Sequence, residues 1–232
     1  MPGTGTTKHE NGHFHIKAKD ALGNSGISTD SKALSETDMI RGLKEALQIG
    51  TENAVGAVSK LDGFYKNPAV KIPLPAAVKK VEKLLRAGGY GPKVDAFEES
   101  MNRAAEKAAP QAKGAFSDAI KEMKFSDVKK VLNGKENEAT LYFKEQTSDQ
   151  LQKIFKPIAH QALSEVGATR NYQELAAKIG NLPFAGRLNL DLDQYVAEGA
   201  LAGLFHTLAQ EEKKIRQDPA ARVTDLLKKI FK

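Results

Sequence analysis

A proline-rich segment at residues 63–75 sets the strongest constraint on how this chain can fold. Three prolines, Pro68, Pro73 and Pro75, fall within eight residues of it. Proline disfavours helix because its ring fixes φ, removes an N–H donor and restricts the preceding residue. The segment also carries two aromatic and several aliphatic side chains, which makes it too apolar for a linker surrounded by water. We therefore expect an irregular, stiff segment that packs on its neighbours, and such loops often carry function.

Helical periodicity dominates the sequence on both sides of this segment. Apolar or small residues recur at spacings of three and four from Ile40 to Leu61, after a capping box at Ser35 and Asp38, and Gly63 is predicted to end that helix. Beyond the segment, apolar spacing and cap residues predict helices at residues 75–86, 93–108, 110–123, 126–133, 138–165, 172–179, 191–217 and from 218 onward. No strand pattern follows residue 30. The predicted fold is an all-α bundle of seven to nine helices in one domain at residues 35–232.

Local signals add detail to several of these helices. Pro157 predicts a kink or break within 138–165, and the run from Gly88 to Pro92 predicts a helix-to-helix turn with a positive φ. Ser126 and Asp191 are each predicted to cap a helix, and Asp218 followed by proline is predicted to begin the last one. The second helix is expected to face inward with its apolar residues, which are Val78, Val81, Leu84 and Leu85.

Composition narrows the range of functions. The chain has 232 residues, no cysteine and a net charge of +6, so disulfides, thiolate metal sites and cysteine nucleophiles are excluded. Lysines alternate with glutamates along the predicted helices, which is typical of a hydrated surface and argues against nucleic-acid binding. No stretch approaches the roughly 20 apolar residues of a membrane span, and no secretory h-region opens the chain. We expect a soluble protein that stays where it is made, unless a leader was removed.

The first 34 residues differ in composition from the rest of the chain. They are rich in Gly, Thr, Ser, Asn and His, and this composition predicts a flexible polar arm. Phe14, Ile16 and Ala18 alternate with polar residues, as in a short strand. The arm also contains His9, His13 and His15, which are candidate ligands for zinc, copper or nickel. The alternative is a flexible polar arm whose histidines bind metal only weakly and incidentally.

Other polar residues are isolated in the predicted helices. His160 and His206 each stand in largely apolar surroundings, where a core or groove histidine is the simpler interpretation and a catalytic base is the alternative. The glycines around Tyr90 lack the Gly-Lys-Ser/Thr ending of a phosphate loop, and no Gly-x-Ser-x-Gly elbow occurs. The basic C-terminal helix is expected to pack its apolar stripe on the bundle, and a membrane surface is the alternative.

Several stretches together resemble a known family, the domain of unknown function 4197. The residues that carry the resemblance are those at 42–47, 51–55, 65–75, 95–106 and 216–227, within a similar region from about residue 35 to the C-terminus. The resemblance implies an all-helical domain of bacterial type and no established activity. Members of the family commonly carry an export or lipoprotein leader, whereas this chain begins with the polar arm.

These patterns lead to two hypotheses about function. The first is a binding or interaction protein that holds a protein partner or an apolar small molecule in an inter-helix groove roofed by residues 63–75. The second is a cofactor-independent enzyme that acts on a hydrophobic molecule in the same cavity, with Tyr, Lys and His as acid–base groups. No cofactor is predicted. The candidate ligand-binding residues are Tyr65, Lys71, Ile72, Tyr90, His160 and His206.

Overall fold

The helices of this protein follow the predicted order along the chain. The computed structural model describes residues 35–181 and 190–231. Within that part of the chain there is no strand, and the nine α-helices are α1 (Glu36–Ser59), α2 (Ala76–Leu85), α3 (Gly91–Ala108), α4 (Ala112–Glu122), α5 (Phe125–Asn133), α6 (Glu138–Glu165), α7 (Ala168–Gly180), α8 (Leu192–Gln217) and α9 (Asp225–Ile230). The all-α prediction is confirmed. The predicted arm and its strand lie outside the described residues.

Three local predictions about helix ends are confirmed. The Ser35 hydroxyl accepts a hydrogen bond from the Asp38 amide and so caps α1. The Asp191 carboxylate accepts from the Gln194 amide and caps α8 in the same way. Between α2 and α3 the chain turns at Gly89, whose φ is 86°, a conformation that costs glycine little because it has no Cβ.

Other predictions about helix ends are wrong. Helix α6 continues through Pro157, so the predicted break does not occur there, while the alternative of a kink stays a prediction. Pro157 lies on an exposed side of the helix, so water can hydrate the carbonyl that loses its N–H donor. The N-cap of α5 is Lys124, whose amide donates to Asp127, and Ser126 is not the cap. Asp218 caps only a short 3₁₀ turn, and Thr224 caps α9.

Helix α8 lies at the centre of the packing, against α1, α3 and α6. The rings of Phe116, Phe143 and Phe205 meet in this core, with centroids 5.5 and 5.9 Å from that of Phe116. Two leucines that were predicted to face inward are exposed. Leu61 lies beyond the end of α1 at Ser59, and Leu84 lies in α2, whose fully buried residues are Val78 and Leu85. The fold therefore presents some large apolar side chains to solvent.

Candidate functional site

The proline-rich segment packs its inner side against two glycines of α8. Gly199 and Gly203 are four residues apart, so they lie on the same face of the helix. A Cβ on Gly199 would approach Ile72 to 2.9 Å, and a Cβ on Gly203 would overlap the Phe64 ring. The side chains on the inner side of the segment are accordingly buried, namely Phe64, Val70, Ile72 and Leu74.

Two buried polar side chains of α3 hold the backbone of the segment. Glu106 accepts hydrogen bonds from the amides of Phe64 and Tyr65, at 3.1 and 3.2 Å. Asn102 accepts from the Ile72 amide at 2.8 Å and donates to the Ile72 carbonyl at 2.9 Å. These bonds replace the secondary-structure partners that an irregular segment lacks, which is a requirement for burying its backbone.

The outer side of the segment carries an aromatic ring that contacts two cations. The Tyr65 ring centroid lies 4.7 Å from the Lys71 ammonium and 5.3 Å from the Arg103 guanidinium. Lys71 also pairs with Glu98 at 2.7 Å, and Arg103 pairs with Asp62 at 2.7 Å. Hydrogen bonds from Lys66 and then from Arg103 lower the pKa of the Asp62 carboxyl. The charges around Tyr65 are thus largely neutralised by one another.

Several apolar atoms of the same region face solvent. Leu61 is 73% exposed, and Pro68, Ala69 and Pro73 are also exposed, while Tyr65 is half-buried. The Pro73 carbonyl accepts a hydrogen bond from the Tyr195 hydroxyl at 3.0 Å, which ties the end of the segment to α8. We call the five residues Leu61, Tyr65, Pro68, Ala69 and Pro73 the exposed loop face.

The remaining predicted ligand-binding residues lie on other elements. Tyr90 is half-buried at the joint of α2 and α3, with the Lys178 ammonium 5.3 Å from its ring centroid. His160 is exposed on α6 and its Nδ1 lies 2.9 Å from the Asp193 carboxylate. His206 is exposed on α8, so neither histidine is a core residue, and the alternative of a groove histidine stays a prediction.

The structure therefore brings only some of the predicted residues together. Tyr65, Lys71 and Ile72 share the proline-rich segment, with Ile72 inside and the other two outside. Within residues 35–181 and 190–231, no hydrogen bond or ion pair links them to His160 or His206. The metal prediction at His9, His13 and His15 lies outside the described residues.

Sequence reasoning missed the residues that position the segment. A signal for Gly199 and Gly203 was their spacing of four within the mainly apolar stretch of α8 from Val196 to Leu208, which permits close approach of another element. A signal for Asn102 and Glu106 was the same spacing on the buried face of α3, where each follows a buried residue, Met101 or Ala105. Polar residues on a buried helix face need partners, and here the partners are backbone groups of the segment.

Replacement of Gly203 by alanine tests the close contact between the segment and α8. The added methyl would overlap Phe64 and lie 3.1 Å from Val70 Cβ, so we expect a loss of about 1–3 kcal/mol in the free energy of unfolding. Gly114 of α4 is the matched control, because a Cβ added at this glycine would meet nothing within 4 Å. Alanine there should stabilise the helix by up to about 1 kcal/mol. Urea unfolding of both variants measures the difference, and equal effects would contradict the close packing.

A second cluster of buried polar groups lies near the other end of α8. Glu212 accepts hydrogen bonds from the amides of Ala139 and Thr140, both at 2.9 Å, and from the Thr140 hydroxyl. Arg216 donates to Glu212 and to the Val131 carbonyl. A small cavity beside this cluster has room for about one water-sized molecule and is lined mainly by apolar side chains, among them Leu43, Leu47, Leu208, Ile215 and Phe231.

The described part of the chain lacks two further classes of feature. Among those residues, no three His, Asp or Glu side chains form a group that could hold a metal ion. None of the described helices combines the length and the apolar composition needed to cross a membrane.

Comparison with known proteins relates the chain to a family. A family model described as a protein of unknown function (DUF4197) matches residues 33–232. No curated protein and no solved structure matches the chain.

Proposed function

Because this chain belongs to the DUF4197 family of proteins of unknown function, its role has to be inferred from its own residues, and we propose that it is an interaction protein. It binds a protein partner through the exposed loop face. The observation that carries the proposal is the difference between the two sides of this irregular apolar segment. On the inner side its backbone is hydrogen-bonded to Asn102 and Glu106, and on the outer side its apolar groups are exposed to solvent.

Burial of the inner side chains supports a protein partner over a small apolar molecule. A small-molecule site needs a concave cavity that encloses most of the ligand. Beneath the segment, Phe64 and Ile72 occupy the space above Gly203 and Gly199. A protein surface needs no such cavity, since it can contact the exposed loop face from outside.

Rigidity of the segment favours binding. A flexible loop loses conformational entropy when a partner orders it, and each immobilised side chain costs about 0.5–1.5 kcal/mol. Here the hydrogen bonds that the backbone makes with Glu106 and Asn102 order it during folding. More of the interaction energy with a partner is then available as affinity.

The chemistry of the exposed loop face indicates the character of the interface. Tyrosine and arginine are enriched among residues that dominate binding energy, and Tyr65 lies against Arg103. The neighbouring charges pair within the protein, as Lys71 does with Glu98, so apolar contact supplies most of the expected affinity. We therefore expect binding that depends weakly on salt, in contrast to the steep dependence of nucleic-acid binding.

The first test replaces Leu61 by aspartate. A photo-crosslinking amino acid at position 61, introduced in cells of the source organism, identifies the partner, which is then purified. We expect Leu61→Asp to weaken its affinity roughly 30-fold, equivalent to about 2 kcal/mol, in a calorimetric titration. The midpoint of thermal unfolding should stay unchanged because the Leu61 side chain is 73% exposed.

The matched control is Leu141→Asp. Leu141 is also a solvent-exposed leucine, at 47%, and it follows Thr140, which contacts Glu212 near the other end of α8. This variant should bind the partner like the wild-type protein. Equal affinity of both variants and the wild-type protein would refute the exposed loop face as the interface.

A further inference from the structure

Helix α2 presents a basic side to solvent. Its buried residues, Val78 and Leu85, lie on the side that packs on the bundle. Three exposed lysines lie away from that side, at spacings of one, three and four residues, namely Lys79, Lys80 and Lys83. Helix α2 therefore carries three positive charges on its solvent-exposed side.

No carboxylate neutralises these three charges within residues 35–181 and 190–231. The acidic residue of α2, Glu82, lies towards the buried side of the helix and pairs with Arg86 at 2.9 Å. Arg86 also pairs with Asp95 at 2.7 Å. None of the ion pairs in the described chain includes a lysine of α2. Like charges without counter-charges produce a positive potential that attracts an anionic partner.

The excess of positive charge continues beyond the joint at Tyr90. Lys93 of α3 and Arg170 of α7 share one carboxylate, that of Glu174, at 2.7 and 3.1 Å. In the described part of the chain Lys178 has no ion-pair partner, and its ammonium lies 5.3 Å from the Tyr90 ring centroid. Both α3 and α7 contact α2. The positive potential around α2 therefore does not depend on its own three lysines alone.

An exposed leucine shares the basic side of α2. Leu84 is 53% exposed, comes directly after Lys83 and lies one helical turn from Lys80. The other residues exposed on this side are small, namely Ala76, Ala77 and Ala87. Lysine stems can lie along an apolar surface while their ammonium groups stay in a polar layer. This side of α2 thus combines an apolar side chain with cations around it.

We propose that the exposed side of α2 docks on the surface of a membrane that contains anionic phospholipids. Lys79, Lys80 and Lys83 contact the headgroup phosphates, and Leu84 enters the apolar layer beneath them. This surface is distinct from the exposed loop face, so the inference does not rest on the proposed function.

The use of lysine favours a lipid surface over a protein or a nucleic acid. Headgroups form a fluid array without fixed geometry, which flexible lysine side chains can follow. The planar fork of arginine suits partners with fixed geometry, and the arginine next to this side, Arg86, is already engaged by Glu82 and Asp95. An exposed leucine gains free energy only where it leaves water for an apolar layer, which a phosphate backbone does not offer.

The test measures how the full chain partitions onto vesicles at low salt, by cosedimentation. One set of vesicles is phosphatidylcholine with about one-third phosphatidylglycerol, and the other is phosphatidylcholine alone. Each lysine near an anionic surface raises the partition coefficient roughly fivefold. We therefore expect a triple variant, with Lys79, Lys80 and Lys83 all replaced by glutamine, to bind the anionic vesicles at least about 30-fold more weakly than the wild-type chain.

The matched control is a second triple variant that loses the same number of charges. It replaces Lys113, Lys144 and Lys153 by glutamine, which are exposed and have no ion-pair partner among the described residues. Salt screens charges that lie more than about 10 Å from the lipid surface. This control should therefore weaken vesicle binding less than about threefold.

A neutral substitution at Leu84 separates membrane docking from charge attraction alone. Leu84→Gln should weaken binding to anionic vesicles at least about threefold, because its apolar side chain no longer enters the lipid. Leu141→Gln is the matched control, at a leucine of α6 that is 47% exposed, and should bind the vesicles like the wild-type chain. Since all the substituted side chains are exposed, the midpoint of thermal unfolding should stay unchanged in every variant.

Three results would overturn the proposal. The first is equal partitioning of the wild-type chain onto both kinds of vesicle. The second is an equal loss of binding in the two triple variants. The third is binding to duplex DNA that is tighter than binding to anionic vesicles at the same salt and is lost in the α2 triple variant, because the partner of these lysines would then be a nucleic acid.

Discussion

Replacement of Glu212 by alanine is expected to lower the free energy of unfolding by about 3–5 kcal/mol, the largest effect among the substitutions considered. The carboxylate accepts from the amides of Ala139 and Thr140 at the start of α6 and pairs with Arg216. Both charged side chains are nearly buried, at 7% and 13% exposure. Removal of one partner leaves the other charge and two amides without compensation, and such losses fall in this range.

The variant Glu212→Gln separates charge from hydrogen bonding. The Ala139 and Thr140 amides donate to different oxygens of Glu212, so a glutamine oxygen keeps one of these two bonds and the side chain no longer neutralises Arg216. We expect a smaller loss than for alanine, measured by urea unfolding with the same slope for both variants. If alanine and glutamine cost the same, the hydrogen bond that glutamine keeps contributes little and the charge pair carries the effect. A loss below about 1 kcal/mol for alanine would contradict the burial of this pair.

The second large effect is expected at Asn102. Alanine at this position leaves the Ile72 amide and carbonyl buried without partners, and each unsatisfied group costs about 1–3 kcal/mol. We therefore expect a loss of about 2–5 kcal/mol in the free energy of unfolding. The proline-rich segment should also become mobile, which faster hydrogen exchange at residues 64–72 would reveal.

Asn102→Asp is the matched control because it changes one of the two interactions. An aspartate can accept from the Ile72 amide but cannot donate to the Ile72 carbonyl. Because Asn102 is fully buried, the ionised carboxylate would also face the Ile72 carbonyl without a neutralising partner, so its cost should be at least that of alanine. If Asn102→Ala loses less than about 1 kcal/mol, the segment is held by its apolar contacts with α8, and the preordering that supports the proposed interaction is absent.

The proline-rich segment and α9 contact α8 at different positions. The proline-rich segment packs at Gly199 and Gly203, while α9 packs at Ile215. From Gly203 to Ile215 a straight helix rises about 18 Å at 1.5 Å per residue. Effects of substitutions at the two positions should therefore be nearly additive.

Local patterns were sufficient to predict the helices and many of their ends. Spacings of three and four mark a buried helix face wherever the helix occurs, which is why the all-α class was predicted correctly. Ser35, Asp191 and Gly89 act on groups within a few residues of themselves, so their roles were visible in the sequence. Pro157 does not break α6, because the cost of a proline depends on whether water reaches the unpaired carbonyl.

The sequence also indicated that residues 63–75 are irregular and packed, and that Tyr65 and Lys71 are polar groups on that segment. It did not indicate the sides on which its side chains lie. That is set by contacts with residues more than 30 positions away, such as Glu106 and Gly203. Periodicity has no meaning in an irregular segment, so nothing local assigns Ile72 to the inside.

The sequence by itself therefore determined the class of fold, the order of the helices and the place of the irregular segment, because those depend on interactions between near neighbours. Only the tertiary structure decided that Asn102 and Glu106 form hydrogen bonds with the backbone of this segment, that His160 and His206 face solvent, and that α9 packs closely against Gly42. Each of these features depends on which distant residues meet when the helices pack. Packing of that kind is a property of the whole bundle and leaves no periodic trace in the chain.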